Sequence, residues 1–539
     1  MVGECPGGRG RISRDAGASD TLAVDVRGAR EDGAVQIVLS GDPAAGVTAT
    51  RVDDGLASAE RVEDLVEFVR REDLARPRWV WSSASEWLPP LLRAGVRVER
   101  CHDLALVGAI LASSQLVTTR PRAFEDPVER YREQRIAIET SRDPGRLELL
   151  TAAESAGAII AAELRAAGLP WSATEHDRIL TELLGPRPVG RERPAVLAAL
   201  HEQIEAALDG AIVNPDSPQS LLAAMRAAGI PVRSTQRWEL RGIDHPAIAP
   251  LSEYRSLSRL MTANGWAWLD TWVSDGRFRP EYVPGGVVTG RWASSGGGAL
   301  QLPMQIRAAA VADPGWRLVV ADAAQLEPRI LAAMSGDAAM IEAGAGADFY
   351  AGLVEHGAAA DRAQAKVAML GAMYGATTGA SGKLMPALAR AYPRAISLVE
   401  RAARDGEQGR PVSTWLGRSS PERATDWTPT QARAWGRFTR NFVVQGTAAE
   451  WALCWLGGIR GRLAAAFPGS WPEAVPHLVF FLHDEIVVHT PQEHAEEVAG
   501  IVEDAARDAG RLLFGASPAT FPVSIATVRD YGAAKASVA

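Results

Sequence analysis

Apolar and polar positions along the chain alternate between two periods. Short runs such as "TLAVDV" (21–26), "AVQIVLS" (34–40) and "RWVWSS" (78–83) read as strands. "ERVEDLVEFVRRE" (60–72) and "DLALVGAILAS" (103–113) carry the helical period. Together they predict a small α/β domain over 21–125, after a Gly-, Arg- and Ser-rich tail, 1–20, expected to be disordered. "TTRPRAFEDP" opens a stretch read as a linker, assigned to 126–145. Helical periodicity dominates 146–260, as in "LELLTAAESAGAIIAAELRAAG" and "RERPAVLAALHEQIEAALDGAI". Within it "NPDSPQSLLAAMRAAG" predicts a helix start with Ser217 as cap and Pro218 in the first turn. From 281 onward strands and helices mix in an α+β manner. "WRLVVADAAQLEPRILAAMSGD" predicts a strand, Leu318 to Ala321, that delivers Asp322, then a helix carrying Glu327 and Arg329. "HLVFFLHDEIVVHT" predicts two strands joined by a tight turn bearing His483, Asp484 and Glu485. No internal repeat is found.

Composition narrows the class. At 539 residues the chain is too long for one core, and 47% apolar with 23% charged residues is the balance of a soluble globular protein. No uncharged apolar run reaches 18 residues, and the N-terminus has no signal-peptide pattern, which points to a cytoplasmic chain without a membrane span. Cys5, Cys101 and Cys454 are isolated and give neither a disulfide framework nor a thiolate metal site. A net charge of −8 does not exclude nucleic acid, because phosphate contacts depend on local Lys and Arg. Of 57 basic residues only Lys366, Lys383 and Lys535 are lysines. A lysine retained against that bias is a candidate for proton chemistry that a guanidinium cannot perform.

Two acidic segments about 160 residues apart, at Asp322 and at Asp484, offer a way to bring carboxylates together. Such a pair suits two Mg²⁺ ions and phosphoryl transfer; a helix-capping Asp and a solvated turn are the alternative readings. Between them, in "DRAQAKVAMLGAMYGATTG", Arg362, Lys366, Leu370 and Tyr374 stand four residues apart and form one stripe on a helix. Basic residues at one end and an aromatic at the other could meet the phosphates and base of a nucleotide. A solvated basic edge is the alternative.

These three segments, in order, resemble motifs A, B and C of family A DNA polymerases. "DAAQLEPR" is similar to that family's D-Y-S-Q-I-E-L-R, "RAQAKVAMLGAMYG" to R-x3-K-x3-F-G-x2-Y-G, and "LHDE" to V-H-D-E. "NPDSPQSL", "PLSEYRSLSRL", "TGRWASSGGGALQLP", "TWLGR" and "NFVVQGTAAEW" resemble further motifs in the family's order, so that the likeness covers about 146–539.

The resemblance implies a template-directed DNA polymerase that adds dNTPs to a primer–template in DNA repair or replication, as a monomer with two Mg²⁺ ions for which Mn²⁺ can substitute. The implied fold is an α+β right hand of palm, fingers and thumb behind a small α/β ribonuclease H-like domain. Thumb helices fall mainly in 146–260, palm in 261–335 and 421–539, and fingers in 336–420. The implied metal ligands are Asp322, Asp484 and the carbonyl of Ala323, with Glu485 supporting them. Arg362 and Lys366 would grip the triphosphate, Lys366 would also donate the proton to pyrophosphate, and Gln325 would lie near the phosphates. Tyr374 would stack at the insertion site, beside Leu370, and Glu327 would exclude a 2′-hydroxyl. Arg291, Arg437, Asn441, Gln445 and His483 would touch DNA.

The sequence departs from the pattern at Ala323, Ala324, Ala299, Leu370 and Glu450. Leu370 replaces the aromatic expected against the incoming sugar, and these departures motivate an alternative, a DNA-binding scaffold without catalysis. In the N-terminal domain Asp25 stands where the family's exonuclease has its first carboxylate, but Arg27 replaces the second. A cationic side chain there repels a metal, so 3′–5′ proofreading is not expected. Glu86 and Asp103 are the substitute ligands that would restore it.

Overall fold

The protein is described by a computed structural model covering residues 35–535, except 54–55, 191, 376–378 and 423–425. The N-terminal unit is a five-stranded sheet ordered β3-β2-β1-β4-β5, with β1 at Gln36–Asp42, β2 at Gly46–Asp53, β3 at Leu56–Val62, β4 at Arg78–Trp81 and β5 at Arg100–Asp103. The first three strands form an antiparallel meander, while β4 and β5 run parallel to β1. "TLAVDV", Asp25 and Arg27 lie outside the described residues. The expected linker at 126–145 is a correction: Pro127–Glu139 is a helix, capped by Asp126, whose carboxylate accepts from Glu129 N. Pro127 marked this start, because proline suits a first helical turn.

The next helix, α1 (Pro144–Ala167), is buried on most of its surface and runs through the middle of the molecule. Its Glu163 accepts hydrogen bonds from both Arg97, on the N-terminal unit, and Arg460, which also donates to the carbonyls of Val98 and Glu99. Burial acts to raise the Glu163 pKa, but the two guanidinium charges outweigh it and hold the carboxyl at about 2. One apolar cluster continues across this junction, from Trp79, Trp81 and Trp87 through Trp171 and Trp268 to Val479 and Phe480. The N-terminal unit is thus packed into the body rather than tethered to it.

Breaking a buried ion pair by removing one partner's charge destabilises by about 3–5 kcal/mol. Glu163→Gln is expected to lose about that much, read as a lower urea midpoint. The sign with pH follows from the depressed pKa. The stabilisation is present above about pH 4.3, the value of a free glutamate, and fades as pH falls toward 2. The difference between the two proteins should therefore shrink in acid.

Helices fill 173–272, and the predicted cap is present, Ser217 Oγ accepting from Ser220 N at the start of Pro218–Ala227. The second main sheet has four antiparallel strands ordered β7-β8-β6-β9, with β6 at Trp316–Ala323, β7 at His477–Leu482, β8 at Glu485–Pro491 and β9 at Val523–Val528. Three helices face the site: α2 (Leu326–Ser335), α3 (Arg362–Tyr374) and the 38-residue α4 (Pro429–Ala466). Thr428 and Gln431 close a capping box at the start of α4. No described helix is long and apolar enough to cross a membrane.

Candidate active site

Asp322 is the penultimate residue of β6 and lies opposite Glu485 of β8 in the register. The β7–β8 turn holds His483 and Asp484, with His483 in a left-handed conformation at φ 60°. Ala323 N donates to the Asp484 carbonyl at 2.9 Å, fastening the turn to the end of the Asp322 strand. The two segments separated in sequence are thus joined. Burial, and then the charge of Asp322, push the Asp484 carboxyl up to about 7. Two hard oxygen donors that repel one another are the donor set a divalent cation relieves. Among the described residues no group of three or more His, Cys, Asp or Glu could hold a metal.

Glu485, expected to support the metal ligands, opens β8 and pairs with a buried guanidinium. Its carboxylate takes Arg307 Nη1 at 3.2 and 3.1 Å, with both side chains buried, and the Arg307 guanidinium lies 4.6 Å from the Tyr531 ring. Glu485 therefore anchors the turn from below. Arg307 was missed in the sequence, although a lone arginine in the apolar run "MQIRAAAVA" needs a buried partner.

Glu327, in the first turn of α2, accepts from Arg291 Nη2 at 2.5 Å and from the Tyr374 hydroxyl at 2.9 Å. Burial and the Glu327 charge raise the Tyr374 phenol to about 12. Arg329, two residues on and buried, donates to the carbonyls of Ala324, Gly346 and Ala347 and so ties the loop after β6 to the segment before α3. Gln325, itself left-handed at φ 47°, accepts from Phe349 N at 3.2 Å. Its side chain joins that loop to the next helix.

Helix α3 has the predicted bounds, capped by Asp361 and closed by Gly375 in the left-handed region at φ 73°. Ala365, Ala368, Met369, Ala372 and Met373 are buried, while Arg362, Lys366, Leu370 and Tyr374 share the exposed edge. Arg362 Nε donates to Asp348 at 2.5 Å, and its guanidinium lies 5.7 Å from the Tyr350 ring. Neither Asp348 nor Tyr350 was singled out from sequence. Arg440 of α4 donates to the Ala372 carbonyl and pairs with Glu400, securing the far end of α3.

Arg437, Asn441 and Gln445 follow one another at four-residue intervals on α4. The Arg437 stem crosses the α3 terminus so closely that a Cβ on Gly375 would meet its Cγ at 2.8 Å. Asn441 Oδ1 is buried without a hydrogen-bond partner among the described residues. Gln445 reaches the Tyr374 hydroxyl. Glu450, at a departure from the family pattern, accepts from Thr414 Oγ1 and Leu416 N, and burial raises its pKa to about 7.

The substitute exonuclease ligands are already committed. Asp103 accepts from Ala105 N and Leu106 N through one oxygen and from Ala84 N through the other. Glu86 accepts from Ser82 Oγ.

A search of known proteins agrees with this geometry. The DNA polymerase I, thermostable, of Thermus filiformis is 26% identical over 381 residues, covering 64% of this chain and 40% of that protein. The DNA polymerase I of Chloroflexus aurantiacus is 27% identical over 315 residues, 52% of this chain and 32% of its own. The chain thus spans two-fifths or less of the length of these curated relatives. In fold it is similar to the POL domain of Pol1 from M. smegmatis, in complex with DNA primer-template and dNTP, with a TM-score of 0.70 at 18% identity, over 95% of this chain and 98% of that one. The resemblance read from the motifs therefore extends to the α+β right hand behind a small α/β domain. The family model described as DNA polymerase family A matches residues 191–525, more than half of the chain and all of the site described above, so the chain belongs to DNA polymerase family A.

Proposed function

We propose that the protein is a template-directed DNA polymerase that extends a primer 3′ end with deoxynucleoside triphosphates, in repair synthesis or gap filling during replication. The observation that carries this reading is the fastening of the Asp484 turn to the end of the Asp322 strand. In it residues 146–260 are mainly thumb, 261–335 and 421–539 palm, and 336–420 fingers. The N-terminal unit contributes packing and no proofreading, and the enzyme works in the cytoplasm as a monomer.

Asp322 and Asp484, with the backbone of Ala323, would hold two Mg²⁺ ions, or Mn²⁺ in their place, and ions bound there would supply Lewis-acid charge to the phosphoryl transfer. Arg362 releases Asp348 and takes the triphosphate, an exchange of one oxyanion for another at the same guanidinium. Lys366, one turn further along, binds the same phosphates and donates a proton to the departing pyrophosphate. Tyr374 stacks at the insertion site, where Leu370 offers an aliphatic contact to the sugar. Arg291, Arg437, Asn441, Gln445 and His483 line the primer–template.

Glu327, held between Arg291 and Tyr374, stands where a ribose 2′-hydroxyl would enter and leaves it without room or a donor partner. Glu327→Ala is expected to raise ribonucleotide incorporation relative to deoxynucleotide by about 10²-fold. Primer extension with each nucleotide class measures it. Extension by the unaltered protein tests the reading itself. Tight DNA binding with no incorporation in either Mg²⁺ or Mn²⁺ would leave the non-catalytic scaffold standing instead.

A further inference from the structure

Strand β7 is the edge of the palm sheet, and its pairing with β8 shifts register between Leu478 and Phe480. At an antiparallel edge every second residue turns its N–H and C=O outward, with no strand to receive them. Phe481 is such a residue, and both of its groups are satisfied by one atom. The Tyr282 hydroxyl accepts from Phe481 N at 3.2 Å and donates to Phe481 O at 2.9 Å. A single phenol stands in for a missing strand two residues before His483 and three before Asp484.

The tyrosine is itself fixed. It belongs to the strand Glu281–Val283, which pairs with Ala293–Gly296 to form a ribbon whose loop carries Arg291 and Trp292. Trp292 is buried and packs edge-on against both rings, 5.3 Å from Tyr282 and 5.0 Å from Phe481. Helix α1 backs it closely at Gly157, where an added Cβ would meet Leu453 at 2.7 Å and Trp292 at 3.5 Å. From the same ribbon Arg291 reaches Glu327. One ribbon thus sets the height of the acidic turn and the place of the gate.

We infer that Tyr282 is a positioning residue, whose hydroxyl holds the β7–β8 turn at the height where the Asp484 carboxylate can share divalent cations with Asp322. The inference deepens the polymerase reading and rests on it for the identity of the bound cation. Removing the hydroxyl leaves the ring packing intact but orphans both Phe481 groups, so the turn can relax away from β6.

Tyr282→Phe is the test, made in the full chain beside the unaltered protein, with Mn²⁺ binding followed by electron paramagnetic resonance in the absence of DNA. The expected result is an Mn²⁺ dissociation constant raised about tenfold. The Mg²⁺ concentration for half-maximal primer extension should rise with it, while the dNTP KM and the primer–template Kd change less than about twofold. A purely structural tyrosine would lower the melting temperature and leave cation affinity alone, and that outcome overturns the proposal. So does a protein that binds no Mn²⁺ even before substitution. If the unaltered protein binds Mn²⁺ but extends no primer, the polymerase reading fails while the comparison of the two affinities still decides the role of Tyr282.

Discussion

Asp484→Asn is expected to lower kcat for primer extension by at least about 10³-fold, and Asp322→Asn to do the same. Each replacement keeps the shape of the side chain and removes the anionic oxygen that would hold a cation at the developing charge. Several kcal/mol of transition-state stabilisation go with it, and each 1.36 kcal/mol is a factor of ten in rate. The primer–template Kd should stay within about threefold, because of the residues proposed to contact DNA only His483 shares the turn of Asp484, while the others lie on α4 and the Arg291 loop. Neither variant should melt below the unaltered protein in metal-free buffer, since each relieves the repulsion between two neighbouring carboxylates. The double variant should be no worse than the poorer single one, as groups that act as a unit are not additive. Extension that persists in the double variant would remove the two-carboxylate mechanism.

The second large effect concerns Lys366. Lys366→Ala should lower kcat by about 10²–10⁴-fold, the range of a lost general acid, and raise the dNTP KM as well. Lys366→Arg separates the two contributions. An arginine restores charge for the triphosphate but does not release a proton near neutral pH, so KM should recover and kcat should not. Single-turnover incorporation across a pH series is the measurement. A kcat that returns fully with arginine would reduce Lys366 to an electrostatic contact.

The site was more legible in the sequence than the framework around it. Helix α3 could be read because Arg362, Lys366, Leu370 and Tyr374 form a regular four-residue stripe. The β7–β8 turn was legible because three polar residues interrupt two apolar strands. Partners supplied by distant segments were not. Asp348 for Arg362, Arg307 for Glu485 and Glu400 for Arg440 are each set by tertiary packing, and local periodicity carries no trace of them. The helix at Pro127–Glu139 was passed over because its own polar composition hid the cap signal at Asp126. Tyr282 has no sequence signal at all, since its role depends on a strand edge formed 199 residues later.

The junction at Glu163 bears on how such a chain can change over evolutionary time. A unit packed in this way is not free to be deleted. Here deletion would take from Arg460 the carbonyls of Val98 and Glu99 and from Glu163 its Arg97 partner. The N-terminal unit acts as a keel, its bulk kept in place by what the body draws from it.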